Sequence, residues 1–158
     1  MDMSLMVSAV RASVGQNAKG YNVITKPGLL VFDFVPTFID ENKFIFNYAS
    51  KQSFFLEPRK VSELMLINTI DEQSTFTIKY DYIKTAKSFT ISRNSEDPSV
   101  FFSLTQFDEF RTKELRKDMV TTTLNDLYII QRFIDYAQPY MMGWDTLATP
   151  FVKRNVPK

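Results

Sequence analysis

The chain has neither a cysteine nor a histidine among its 158 residues. Without cysteine there is no disulfide framework, no thiol nucleophile and no thiolate metal site. Without histidine the usual general base near neutral pH and the commonest transition-metal ligand are both missing, which excludes Ser–His and Cys–His triads and zinc-hydrolase sites. Carboxylates remain, but no spacing sets paired acids on one strand, so metal-assisted chemistry has no candidate. The expectation is a non-enzymatic chain with no catalytic residue, no metal ligand and no cofactor. Long apolar runs are lacking too: none approaches the roughly 20 residues that cross a bilayer as a helix, so no membrane partner is expected. Nor is there an excess of one charge, since Lys+Arg 19 against Asp+Glu 18 leaves +1. A protein that simply coats nucleic acid carries a strong basic excess, whereas a near-neutral chain can still hold a basic patch on one face.

What the chain does have is aromatic residues, Phe 15 and Tyr 7, and enough length for one well-filled domain. Residues 1–20 are small, hydroxylated and weakly apolar, and read as a flexible N-terminal tail or the remnant of a transit peptide. From residue 21 the pattern becomes one of strands. Residues 21–26, 29–39, 43–49 and 51–56 are short aromatic or β-branched runs separated by Pro27-Gly28, Asp40-Glu41-Asn42 and Ser50, a four-strand meander. Pro36 predicts an edge or a bulge late in the second run. Pro58 suits the first turn of a helix over residues 58–67, with Val61, Leu64 and Met65 as its apolar side.

The same order then recurs. Residues 75–82, 87–93, 100–107 and 110–121 are four further candidate strands, broken at 71–73, 83–86, 94–99 and 108–109, and a terminal helix follows. The fold class is α+β: two four-stranded antiparallel sheets packed face to face with two helices, ββββα repeated, over residues 21–145, with a C-terminal tail at 146–158.

The terminal helix starts at a Thr123 N-cap with Asp126 at N3, a capping box with Asp in the usual Glu place. Leu127, Ile130, Ile134, Ala137 and Met141 recur at steps of three and four, the stripe of a helix lying on a core. Ile129, Phe133, Tyr136 and Tyr140 form a second stripe, which makes this either a fully buried helix or a subunit interface. Pro139 falls where it would kink or end the helix, and Gly143 supplies a permissive C-terminal turn.

Strand alternation marks the side chains that could meet a ligand. In residues 75–82, Phe76, Ile78, Tyr80 and Tyr82 share one face and Thr75, Thr77, Lys79 and Asp81 the other; in 110–121 the odd positions give Arg111, Lys113, Leu115 and Lys117. A basic, hydroxylated outer face is what phosphate contacts require. It is equally what the solvated face of an antiparallel sheet looks like.

Three segments carry a resemblance. Pro139-Tyr140-Met141-Met142-Gly143-Trp144 resembles the terminal helix motif of the Whirly family of single-stranded nucleic-acid-binding proteins. Lys51-Gln52-Ser53-Phe54-Phe55-Leu56 resembles that family's Lys-Gln strand, and Phe101-Phe102-Ser103-Leu104 a third strand motif. The likeness runs from about residue 21 to 144. Plant members carry a Lys-Gly-Lys-Ala-Ala-Leu signature where this chain reads Thr25-Lys26-Pro27-Gly28-Leu29-Leu30, and the chain is more similar to the distant kinetoplastid mitochondrial RNA-binding proteins. That resemblance implies a Whirly-like fold, a mitochondrial location and a role in RNA editing. It implies single-stranded RNA partners, guide RNA and pre-mRNA, held by the phosphate backbone with bases free for annealing, and a heterotetramer of two related subunits. The net charge of only +1 adds the expectation that the partner subunit is the more basic one. Lys51 enters the expected electrostatic set on the motif match; Lys79, Lys87, Arg93, Arg111, Lys113 and Lys117 enter it on alternation and position. Ile129, Phe133, Tyr136 and Tyr140 are the expected interface. The alternatives are an organellar Whirly-like single-stranded DNA-binding protein and a scaffold subunit that touches no nucleic acid.

Overall fold

The computed structural model describes residues 2–65, 76–82, 85–94 and 97–144. Its first sheet is built around the longest strand, β4 (Leu29–Asp40). One edge of β4 pairs antiparallel with β1 (Asp2–Val10), from Asp2 opposite Thr37 to Val10 opposite Leu29. The other edge is divided: β6 (Gln52–Leu56) takes Leu30 to Phe34, and β5 (Lys43–Phe46) takes Thr37 to Asp40. Pro36 falls at the change of partner, where its carbonyl accepts the Asn47 N–H at 2.8 Å. A proline has no N–H to give the ladder, so the late irregularity expected of it takes the form of this switch.

Two expectations are corrected here. Residues 1–20 are not a tail, because Asp2–Val10 is a full strand of the sheet. Its Met3, Leu5, Val7 and Ala9 alternate onto the core, a period-2 pattern diluted by small residues and serines. The first half is also not a simple meander. Strand β3 (Asn22–Lys26) pairs with β2 (Ser13–Gln16), not with β4, so β1 supplies the fourth strand of the first sheet. The register runs from Val10 opposite Leu29 to Ser13 opposite Lys26, so β1–β2 and β3–β4 are the two sides of one long ribbon bent at Arg11-Ala12 and Pro27-Gly28.

The bend is fixed by the end of the terminal helix. Ala12 N–H donates to Tyr140 O and Gly28 N–H to Met141 O, both at 2.9 Å. Both carbonyls belong to the last turn of the helix, where i→i+4 partners run out; Tyr140 O also accepts the Gly143 N–H at 3.3 Å. The approach needs glycine: a Cβ on Gly28 would overlap the carbonyl oxygen of Val10 and stand 2.6 Å from Met141 Cα.

The second sheet is the expected meander, in the order β10-β9-β8-β7, of β7 (Phe76–Tyr82), β8 (Lys87–Asn94), β9 (Asp97–Phe107) and β10 (Glu114–Thr123). Strand β10 starts at Glu114 and not at 110, because Asp108 organises the preceding residues into a turn. Its carboxylate accepts the N–H groups of Thr112 (2.6 Å) and Lys113 (3.0 Å) and the Thr112 hydroxyl, and Arg111 adopts φ 57. These bonds hold the Asp108 carboxyl below the usual aspartate range, the Thr112 side chain contributing most and the Lys113 N–H next.

The sheets face each other across phenylalanines. Leu30, Phe32 and Phe34 of β4 and Phe54 and Leu56 of β6 meet Phe89, Ile91, Val100, Phe102 and Leu104 of β8 and β9, all buried. Phe89 stacks on Phe54 with centroids 4.9 Å apart and lies 4.7 Å from Phe32. Such pairs add roughly 0.5–1.5 kcal/mol each beyond area burial.

Pro58 opens a short 3-10 turn (Pro58–Lys60) that leads into α1 (Val61–Met65). Val61 and Leu64 of α1 are buried, as its apolar side predicts. The long helix α2 (Leu124–Met142) has the predicted reciprocal capping box between Thr123 and Asp126, ends on Gly143 at φ 75, and runs through Pro139 without ending there. Leu127, Ile134, Ala137 and Met141 are buried and Ile130 partly so. The predicted break at 71–73, the helix end at 66–67 and the tail at 146–158 lie outside the described residues.

Candidate nucleic-acid interface

The alternation that buries Phe89, Ile91, Phe102 and Leu104 turns the other parity of the second sheet outward. Register then assembles that outer face in rows. Lys117, Thr105, Ser88 and Asp81 are aligned across the four strands; so are Met119, Ser103, Thr90 and Lys79, and then Thr121, Phe101, Ser92 and Thr77. Lys117, Met119 and Thr121 are exposed, and Thr90, Ser92, Ser103 and Thr105 are half-buried. The result is a hydroxyl-rich surface with cations along its β10 edge.

The expected cationic set divides in space. Lys117 belongs to this outer face, and Lys79 stands on β7 in register opposite Thr90. Lys113 and Arg111 sit exposed on the turn before β10, where Arg111 lies 3.7 Å from Asp81 Oδ1 and stacks 5.8 Å over the Phe107 ring. Lys51 lies at the start of β6, 4.0 Å from Asp33 Oδ2.

Lys87 and Arg93 do not join the outer face. They share parity with Phe89 and Ile91, so they end the inner row of β8, with Arg93 opposite the buried Val100. Lys87 Nζ instead crosses to the first sheet and donates to Ser53 O at 3.1 Å. Burial, with the nearby Arg116 charge second, holds its ammonium below the usual lysine range.

Arg116, absent from the expected set, makes a parallel bridge. Its Nη2 donates to Ser50 O at 2.5 Å, and its Nε stands 2.9 Å from Asp118 Oδ2 as an ion pair without hydrogen-bond alignment. Between the two bridged carbonyls, Gln52 is 4% exposed and neither amide atom has a hydrogen-bond partner among the described residues. Alternation alone could have placed Arg116 on the inner parity with Asp118, but not its reach to Ser50.

On α2 the second stripe is only partly solvent-facing. Ile129 and Tyr136 are 68% and 72% exposed, whereas Phe133 and Tyr140 are half-buried. Phe133, Tyr136 and Tyr140 line an open groove of about 410 Å³ against Val7–Ala9 of β1. The Arg11 guanidinium sits 4.6 Å over the Tyr140 ring there. The helix therefore carries a buried stripe on the core and a second stripe of which Ile129 and Tyr136 are left uncovered in the single chain.

An α+β sandwich of two antiparallel sheets closed by a C-terminal helix, with a hydroxylated and partly basic outer face, is the class of protein these observations define. The chain belongs to the family described as Whirly transcription factor, whose family model matches residues 2–132. The match begins within β1, which makes that strand part of the family fold. It stops short of the Pro139–Trp144 motif. No curated protein matches the chain. Among solved structures, WHY1 from Arabidopsis thaliana is similar at 14% identity and a TM-score of 0.72, covering 99% of this chain and 90% of that one. WHY3 from Arabidopsis thaliana is similar at 16% identity and a TM-score of 0.71, covering 93% and 87%. The plant transcriptional regulator PBF-2 is similar at 16% identity and a TM-score of 0.72, covering 99% and 92%. At these identities the likeness is one of fold.

Proposed function

We propose that this chain binds single-stranded nucleic acid through its phosphate backbone and, as a subunit of an oligomer, holds RNA so that it can anneal to a complementary strand. The observation that carries this reading is the outer face of the second sheet, where Lys117 and the neighbouring turn cation Lys113 border rows of Ser and Thr hydroxyls. Lysines neutralise phosphate charge, and hydroxyls donate to phosphate oxygens without reading bases, so affinity should depend on salt and little on sequence. A strand held by its backbone keeps its bases available, and neutralised phosphates reduce the repulsion between two approaching strands.

The finer reading is a guide-RNA-binding subunit in mitochondrial RNA editing, paired with a related, more basic subunit in a heterotetramer. It is supported by the replacement of the plant signature with Thr25-Lys26-Pro27-Gly28-Leu29-Leu30 and by the net charge of only +1, which a basic partner would complement. The exposed Ile129 and Tyr136 support assembly through α2. No step in this function needs a catalytic group.

The similarity to a plant transcriptional regulator favours a second reading, single-stranded DNA. Competition between RNA and DNA oligonucleotides of one sequence separates the two, and strand-annealing rates with and without the protein test the mechanism. Preferential binding of RNA and faster annealing are expected. A strong DNA preference with no effect on annealing would transfer the proposal to DNA.

A further inference from the structure

The β2–β3 hairpin is a ribbon of unusual charge. Between Asp2 and Asp33 the sequence has no acidic residue, and Arg11, Lys19 and Lys26 give this stretch +3. The remainder of the chain therefore nets −2, the difference between the +1 of the whole and the +3 of the stretch. The near-neutral total conceals a local basic stretch, and two of its three cations, Lys19 and Lys26, lie in the hairpin.

The arm is built to project and to hold its shape. The two-stranded sheet pairs with no further strand among the described residues, so each strand has one edge with unpaired backbone groups. Lys19, Tyr21, Thr25 and Lys26 are exposed. A hairpin of this size is marginal alone, but its base is bonded to the C-terminus of α2 through Ala12 and Gly28, and Ile24 packs against Gly143. Its tip is ordered as well. Asn17 Oδ1 accepts the N–H groups of Lys19 and Tyr21 at 3.0 Å each, Gly20 N–H donates to Asn17 O at 2.9 Å, and Gly20 takes φ 81. This fixed turn presents Lys19 and Tyr21 at the end of the ribbon.

We propose that the β2–β3 arm is a second nucleic-acid contact, with Lys19 at its tip and Lys26 at its base neutralising phosphates of a single strand laid along the ribbon. This rests on the nucleic-acid reading above and adds a surface distinct from the second sheet. Three features favour an extended polyanion over a compact anion. The two lysines are separated by roughly 15–20 Å of ribbon at about 3.3 Å per residue. Neither forms an ion pair among the described residues, unlike Lys51 and Arg111. No acid lies within the arm to repel phosphate.

The test is the full chain carrying Lys19→Ala and Lys26→Ala together, titrated with labelled oligouridylate over a salt series beside the unaltered protein. Each phosphate contact with a single strand contributes about 0.7 to the log–log salt slope, so at 0.1 M salt each is worth about fivefold in affinity. The double variant should bind about 25-fold more weakly with a slope shallower by roughly 1.4, while Lys19→Arg with Lys26→Arg retains binding. Melting temperature and native mass should not change. Equal affinities for the variant and an unaltered protein that binds with a salt slope would overturn the arm and leave the sheet reading standing. No binding by the unaltered protein would overturn both. An oligomer that dissociates in the variant would make the arm a subunit contact. Lysine-dependent binding to phosphatidylserine vesicles with RNA affinity unchanged would make it a lipid contact. Either outcome overturns the proposal.

Discussion

Replacing Gly28 with alanine tests how the arm, the first sheet and the terminal helix are joined. The added Cβ would overlap Val10 O and stand 2.6 Å from Met141 Cα and 2.8 Å from Met141 O. All three are backbone atoms, so no side-chain rotation relieves the clash, and β4 must move away from α2. That movement breaks the Gly28–Met141 hydrogen bond and strains the Ala12–Tyr140 bond beside it. Two backbone bonds at roughly 0.5–1.5 kcal/mol each, with overpacking at roughly 1–3 kcal/mol, put the loss at about 2–6 kcal/mol. For a chain of this length about 1 kcal/mol lowers the melting temperature by roughly 2–4 °C, so the drop should be on the order of 10 °C. Thermal denaturation followed by circular dichroism measures it. A melting temperature unchanged to within about 1 °C, set against that scale, would show that the bend does not pack on the helix as described.

Three further outcomes are expected. Asp108→Ala removes the acceptor for three hydrogen bonds of the β9–β10 turn, so the Thr112 and Lys113 amides should lose hydrogen-exchange protection. In the unaltered protein this carboxyl is held below its ordinary value of 3.8. Its contribution to stability is therefore complete above that value and disappears as pH falls through the lower folded-state value, and a turn equally protected in both proteins would contradict the assignment. Gln52→Leu replaces a buried amide lacking hydrogen-bond partners among the described residues, and relief of roughly 1–3 kcal/mol of desolvation should raise the melting temperature; a fall would reveal a partner for the amide. Tyr136→Glu, at a position 72% exposed, should lower the native mass of the assembly and leave the monomer's melting temperature nearly unchanged, whereas a destabilised but still assembled protein would refute the interface.

Much of the fold was legible because its signals are local. The Thr123–Asp126 box, the Gly143 terminus and the buried stripe of α2 follow from short-range spacing, and the meander of the second sheet follows from turn residues between alternating runs. The errors arose where tertiary partners decide. Met3, Leu5, Val7 and Ala9 alternate correctly, but small residues and serines hid the pattern until β4 supplied a partner for it. Strand β3 has a strand-like composition that says nothing about whether β2 or β4 receives it.

The candidate site was less legible for a related reason. Lys87 and Lys117 look alike in sequence, yet parity sends one inward to Ser53 and leaves the other on the outer face. Lys19 and Lys26 do not stand out in a charge summed over the whole chain, in which an acid-free stretch disappears.

The most direct measurement is the affinity of the purified chain for one labelled single-stranded RNA across a range of salt, compared with a variant carrying Lys113→Ala and Lys117→Ala. The account predicts a straight fall of log affinity with log salt, and a slope shallower by roughly 1.4 in the variant, because about 0.7 is lost for each phosphate contact. The loss should be nearly equal for unrelated sequences. Binding that ignores salt, or a variant whose slope matches that of the unaltered chain, would contradict phosphate recognition by this sheet face.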